Sequence, residues 1–242
     1  MTAPKPRIGL ICPADHEMFG PVADRLRDRG YAVEFLEPGV ELSTDRLDAL
    51  DLLVNKKVRW ESLHALEYAH RNGIPAWNGY VASMVFFNRL SQLGALAAVG
   101  FQVPDVHPDK PDGDFVAKGF LDIHEEPTLN GDGDFYQPLL DFDGIDHKYY
   151  AVDDGKTVQT AVTRFESKLF GERAFLGRGT PDPAVERRLA RLLRFSGARA
   201  LGVDVVEVDG ESHAVDVNPA TSFRRTGLEA ALVESIASAV PR

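Results

Sequence analysis

The segment HAVDVN, His213 to Asn218, sets an acid and an amide two residues apart and is stopped by Pro219. In a strand such neighbours share a face, so Asp216 and Asn218 project together while Val217 points the other way. Oxygen donors of this kind suit a hard cation such as Mg2+, which takes one or two carboxylates and completes its octahedron with water and phosphate oxygens. The preceding run, LGVDVVEV, carries another acid, Asp204. With a three-residue loop around Asp209, Gly210 and Glu211, Asp204 falls opposite Asp216 and Gly202 opposite Asn218. A two-residue Asp-Gly turn would send Asp204 to the other face, so a metal site at Asp204, Asp216 and Asn218 demands an odd loop. The plainer reading is that the Asn-Pro pair only ends a strand. Against it, an acid inside each of two apolar strands is costly unless it has a partner.

The elements that must position these side chains alternate from the start. RIGLIC (Arg7 to Cys12), YAVEFL (Tyr31 to Leu36), DLLVNKK (Asp51 to Lys57) and IPAWN (Ile74 to Asn78) are strand-like, with helical spacing over Phe19 to Gly30 and Trp60 to Arg71. That alternation argues for a small doubly wound parallel sheet. Val81 to Val99 reads as one long connecting helix, closed by Gly100 and barred from continuing by Pro104. His107 to Asp134 is rich in Pro, Gly and Asp, with FVAKGF (Phe115 to Phe120) as its clear strand. FYQPLL, HKYYAV and TVQTAVTRF are strand-like, a helix covers about 183 to 196, the acid-bearing hairpin follows, and a helix over 228 to 239 ends the chain.

The chain has 242 residues, 44% of them hydrophobic, enough to bury substantial cores. Its 27 Lys and Arg against 37 Asp and Glu, a formal charge of -10, argue against nucleic acid and anionic membranes as partners. Cys12 is the single cysteine, which excludes a disulfide framework and a Cys-based zinc site and favours a cytoplasmic location. The apolar run near the N-terminus is too short for a signal peptide, and no stretch reaches membrane-spanning length.

GVDVVEVDGESHAVDVNPATSF resembles the last hairpin of the ATP-grasp superfamily, in which a Gly-x-Asp strand is followed by one bearing Glu/Asp-x-Asn. The resemblance implies that Asp204, Asp216 and Asn218 hold the Mg2+ that bridges ATP phosphates. NGYVASMVFFNRLSQLGALAAVGFQVP, Asn78 to Pro104, is similar to the RimK-type pattern, with Asn88-Arg89 where that pattern has Asp-Lys. Arg89 and Lys118, the latter in FVAKGF, then become phosphate contacts. FYQPLL resembles the interlobe hinge that grips adenine, which nominates Gln137, Pro138, Leu139 and Leu140. Lys148, Arg164 and Arg224 stand where basic residues near the transferred phosphoryl group are expected. Lys56, Lys57, Arg59 and Arg225 could join Arg224 around an anionic substrate, while His124, His147 and His213 read as surface residues.

The order of the pieces agrees with the superfamily over nearly the whole chain. The implied architecture is an α/β (α+β) ATP-grasp fold: an N-terminal doubly wound lobe (1–78), a connecting helix (79–104), a reduced central lobe (105–138) and a C-terminal antiparallel lobe with the metal hairpin (139–242). Between Lys118 and Gln137, where the family fits a Gly-rich loop, a strand and a helix, this chain has a short connector. Gly131 and Gly133 are its only internal glycines, and Asp122, His124, Glu125 and Glu126 would repel phosphate. The implied activity is an ATP- and Mg2+-dependent ligase that joins a small-molecule or peptide carboxylate to an amine through an acyl phosphate. A small-molecule kinase, on the likeness of Asp-x-Asn to inositol polyphosphate kinases, and a non-catalytic nucleotide-binding protein are the alternatives. Homo-oligomerisation is left open.

Overall fold

In the computed structural model, which describes residues 4–121 and 126–241, the chain begins with the expected α/β alternation. Strands β1 (Arg7–Ile11), β2 (Ala32–Leu36), β3 (Leu52–Asn55) and β4 (Ala76–Trp77) form a parallel sheet in the order β2-β1-β3-β4. Helix α1 (Phe19–Asp28) covers one face; α2 (Thr44–Asp48) and α3 (Trp60–Arg71) cover the other. The central strands β1 and β3 are almost wholly apolar because both faces are buried.

The long helix expected over 81–99 is two helices, α4 (Tyr80–Phe87) and α5 (Arg89–Ala98). Asn88 divides them: its backbone is extended, and its side chain accepts the N–H groups of Leu90 and Ser91. An asparagine that satisfies first-turn donors starts a helix better than it continues one.

A three-stranded sheet follows, ordered β6-β5-β7, from β5 (Phe115–Lys118), the two-residue β6 (Thr128–Leu129) and β7 (Phe135–Pro138). The two connector glycines serve chain packing. A Cβ on Gly133 would stand 2.7 Å from the Lys118 nitrogen and 2.8 Å from its carbonyl oxygen, and one on Gly131 would strike the Thr128 side chain. Asp122, His124 and Glu125 lie outside the described residues.

The largest sheet is antiparallel, ordered β10-β9-β8-β11-β12, from β8 (Ile145–Asp153), β9 (Val158–Glu166), β10 (Phe175–Arg178), β11 (Ala200–Val208) and β12 (Glu211–Asn218). One face packs under α4, α5 and α6 (Pro183–Ser196), with Tyr149, Val162, Val203 and Val217 in that core. Part of the other face, including Tyr150 and Val152, is buried against α1, the parallel sheet and α7 (Glu229–Ala239). The remainder of that second face looks into a cavity beneath the small sheet. No helix among the described residues is long and apolar enough to cross a membrane.

Candidate functional site

The hairpin that carries the acids turns in two residues, not three. Asp209 and Gly210 both have left-handed backbones, φ 51° and 79°, and Val208 pairs with Glu211, which is the tight turn favoured by Asp-Gly. Asp204 nevertheless lies opposite Asp216, and Gly202 opposite Asn218, because the ladder slips by one residue between Asp204 and Val205. Val215 is left without a partner on β11: it is a β-bulge, and it restores the register that the even turn alone would have lost. The expectation of an odd loop is corrected, while the juxtaposition for which it was invoked is present.

The bulge also serves the neighbouring sheet. The Val215 carbonyl accepts a 2.8 Å hydrogen bond from Lys118 Nζ, at the end of β5. Lys118, Asp204, Asp216 and the segment Gln137, Pro138, Leu139 and Leu140 all line one cleft. Its walls are apolar at Val116, Val206 and Phe142. The Gln137 side chain is buried and donates to the Pro104 carbonyl, and the Leu139 N–H is taken by the Asp114 carbonyl.

Strand register extends the acid pair into a row of five. Arg178 pairs with Thr163, Thr163 with Lys148, Lys148 with Asp204 and Asp204 with Asp216, so all five side chains share one face. Lys148 Nζ lies 3.1 Å from Asp204 Oδ2 and 3.0 Å from Oδ1. Burial pulls the Lys148 ammonium down, but the charge and hydrogen bond of Asp204 outweigh it, and the group stays above its ordinary pKa. Asp146, one step along β8 on the same face, also lines the cleft; burial and the charge of Asp204 push its carboxyl up.

The other nominated residues sit differently. Asn218 stands on the acid face but outside the cleft lining, and its Oδ1 accepts the Ala220 N–H at 2.8 Å. Arg89 is buried at the start of α5, donating to the carbonyls of Gly119 and Leu121 just beyond Lys118. Arg164 is a correction: it pairs with His147, on the face shared with Val162 and opposite to Lys148, since a strand alternates its side chains. Arg224 is also a correction: it is exposed and ion-paired with Glu17 at 3.1 Å, away from the cleft lining. Of the proposed basic pocket, Arg225 stacks on Phe175, Arg59 opens α3 near Gly39, and Lys56 is buried. Arg178 and Asp146 were missed; no local motif marks either, and only the sheet register brings them to the site.

Among the described residues no group of three or more His, Cys, Asp or Glu side chains is placed to hold a metal. The set here is two carboxylates and an amide, which leaves coordination positions to water and phosphate. Asp204 Oδ1 is buried and ion-paired with Lys148 Nζ at 3.0 Å without an aligned hydrogen bond, so a metal here would share this carboxylate with the lysine. The donor set fits Mg2+.

No family model matches the sequence, and no curated protein matches it. Among solved structures, an ATP-grasp ligase, PsnB, complexed with a phosphomimetic variant of its minimal precursor, Mg and ADP, is 17% identical with TM-score 0.69 over 98% of this chain and 99% of its own. A RimK domain ATP-grasp protein from Sphaerobacter thermophilus is 16% identical, TM-score 0.72, over 97% and 99%. The macrocyclase MdnC of Microcystis aeruginosa, bound with its precursor peptide MdnA, is 10% identical, TM-score 0.68, over 95% and 98%. At such identities the likeness is one of fold, and the fold of this chain, from parallel sheet to acid-bearing hairpin, is that of the ATP-grasp proteins.

Proposed function

We propose that the protein is an ATP- and Mg2+-dependent ligase that joins a carboxylate to an amine. The observation that carries this reading is the convergence of Lys118, Asp204 and Asp216 on one cleft beside residues 137–140. Bound Mg2+ and ATP would supply a neutralised γ-phosphoryl group, which the substrate carboxylate takes as an acyl phosphate before the amine displaces phosphate. The protein's part is positioning and electrostatics. Residues 137–140 and the apolar walls would hold the base, Lys118 would face the phosphates, and Asp204, Asp216 and Asn218 would hold the metal. Lys148, paired with Asp204, and Arg178, which donates to the Thr226 carbonyl, would supply positive charge beside the cleft lining, on the face of the sheet that carries the acids. No side chain need form a covalent intermediate. Since PsnB and MdnC were solved with precursor peptides, a peptide carboxylate is the first substrate class to test.

Both connector glycines pack closely within the small sheet, Gly131 against Thr128 and Gly133 against Lys118, rather than over the phosphates, and ATP should bind weakly without substrate. Isothermal titration with Mg2+-ATP tests binding; sub-micromolar affinity with no partner present would contradict the open cleft. Turnover is tested by ADP release with an acidic peptide. Release dependent on an acyl acceptor supports the ligase; a phosphorylated alcohol as product would make the protein a kinase; binding without turnover on any substrate would leave a nucleotide-binding protein.

A further inference from the structure

Asn218 is followed by Pro219, Ala220 and Thr221, and two buried side chains from the N-terminal third take all three of their carbonyls. Asn78 Nδ2 donates to the carbonyls of Pro219 and Ala200, both at 2.6 Å. Its Oδ1 accepts the N–H groups of Arg199 and Ala200, and its backbone is left-handed at φ 50°. Lys56 Nζ donates to the Ala220 carbonyl at 2.6 Å and to the Thr221 carbonyl.

Lys56 is an expensive way to fill this space. Its residue is 2% exposed, and no ion pair to it is found among the described residues. Burial pulls its pKa down to about 7. The ammonium lies over the rings of Phe19 and Phe223, at 4.9 and 5.6 Å from their centroids. Phe223 itself has φ 55°, a costly conformation for a bulky residue. A methionine would avoid the buried charge but would leave the Ala220 and Thr221 carbonyls without this donor. What the lysine adds is directed donors on the chain leaving Asn218, and the Asn218 amide is oriented by the N–H of Ala220, the residue whose carbonyl Lys56 holds.

We propose that Lys56, with Asn78 beside it, is a positioning residue for the metal end of the cleft: it fixes residues 219–221 so that the Asn218 amide is presented to the cation, tying the parallel sheet to the metal-binding hairpin. The inference rests on the nucleotide and Mg2+ reading of the cleft. It is tested by thermal shift with ADP across a Mg2+ titration, in the wild type, Lys56→Met and Lys56→Gln. The shift produced by ADP in EDTA should be the same in all three, because residues 137–140 are untouched. The Mg2+ concentration for half-maximal extra shift should rise about tenfold in Lys56→Met, the scale of one lost charge-assisted hydrogen bond. It should recover partly in Lys56→Gln, which retains a donor. A half-maximal Mg2+ concentration in Lys56→Met within about twofold of wild type overturns the inference. Should neither variant fold, hydrogen exchange on the wild type decides. Mg2+ with ADP must slow residues 55–57 together with 219–222, since coupling is reciprocal; slowing of 219–222 alone overturns it. A wild type that responds to ADP neither with nor without Mg2+ instead removes the reading of the cleft beneath it.

Discussion

Replacing Lys148 by methionine tests the centre of the acid row most directly. The Lys148 and Asp204 side chains are 11% and 20% exposed, with Nζ within 3.1 Å of Oδ2. Lys148→Met preserves the stem and removes the charge, leaving a carboxylate beside Asp216 with its nearest cation gone. Loss of one partner from a buried pair costs about 3–5 kcal/mol. Because a fifth of Asp204 reaches solvent, the lower end, about 3 kcal/mol, is expected. For a chain of 242 residues that is a fall in Tm of about 6–12 °C. Adding Asp204→Asn should return much of it, with a coupling of about 2 kcal/mol in the double-mutant cycle. Asp204 holds Lys148 above its ordinary 10.5, so the pair stabilises fully below that pH and is lost only as pH rises through the folded value. On the alkaline side, the Tm gap between variant and wild type should therefore close only in strongly alkaline buffer. Mg2+ without nucleotide should also stabilise Lys148→Met more than wild type, since it no longer shares Asp204 with an ammonium. A loss of no more than about 1 kcal/mol, the scale of an exposed pair, or strict additivity with Asp204→Asn, would refute the argument.

Three further outcomes are expected. His16 Nδ1 accepts the N–H groups of Met18 and Phe19, and burial, with Lys56, Arg224 and Lys57 nearby, lowers its pKa to about 4. The wild type should thus lose stability as pH falls from 6.5 towards 4, by about 1–2 kcal/mol after allowance for its partial exposure; denaturant titrations should show His16→Asn flattening that limb. Asp146, raised by burial and Asp204, costs stability once ionised, so Asp146→Asn should raise Tm at neutral pH and lose that advantage below the ordinary carboxyl value of 3.8. Gly133→Ala drives a Cβ into the Lys118 backbone; about 1–3 kcal/mol of stability should be lost, with weaker ADP binding by calorimetry.

The parts of this fold that depend on local pattern were legible. Alternating apolar runs locate the parallel sheet, spacing sets Asp204 and Asp216 on neighbouring strands, and the resemblance of FVAKGF singles out Lys118. What escaped depends on distant pairing. The break at Asn88 needed the judgement that an amide caps rather than continues a helix. Arg164 is expected near the transferred phosphoryl group because TAVTRF resembles a family strand bearing basic residues, yet the register puts Thr163 in the row and Arg164 on the opposite face. Arg178 enters only through β10, a short edge strand whose pairing with β9 itself contains a register shift. Asp146 looked like one acid among many until β8 lay beside β11.

Val215 ties the reach of Lys118 to one surplus residue in β12. Between the closing pair and the acids, β11 has Val205 to Val208 and β12 has Glu211 to Val215, one residue more. Residues added between Val208 and Glu211 lengthen only the loop, so the ladder below it and the acid pair should be unchanged. Deleting Val215 would let the Val205–Ala214 pair run straight into Asp204–Asp216 without a bulge. The acids would stay abreast, but the carbonyl that accepts Lys118 Nζ would be gone. A one-residue deletion inside the strand should therefore separate the acid pair from the lysine of the small sheet, where a graft at the exposed tip leaves both in place.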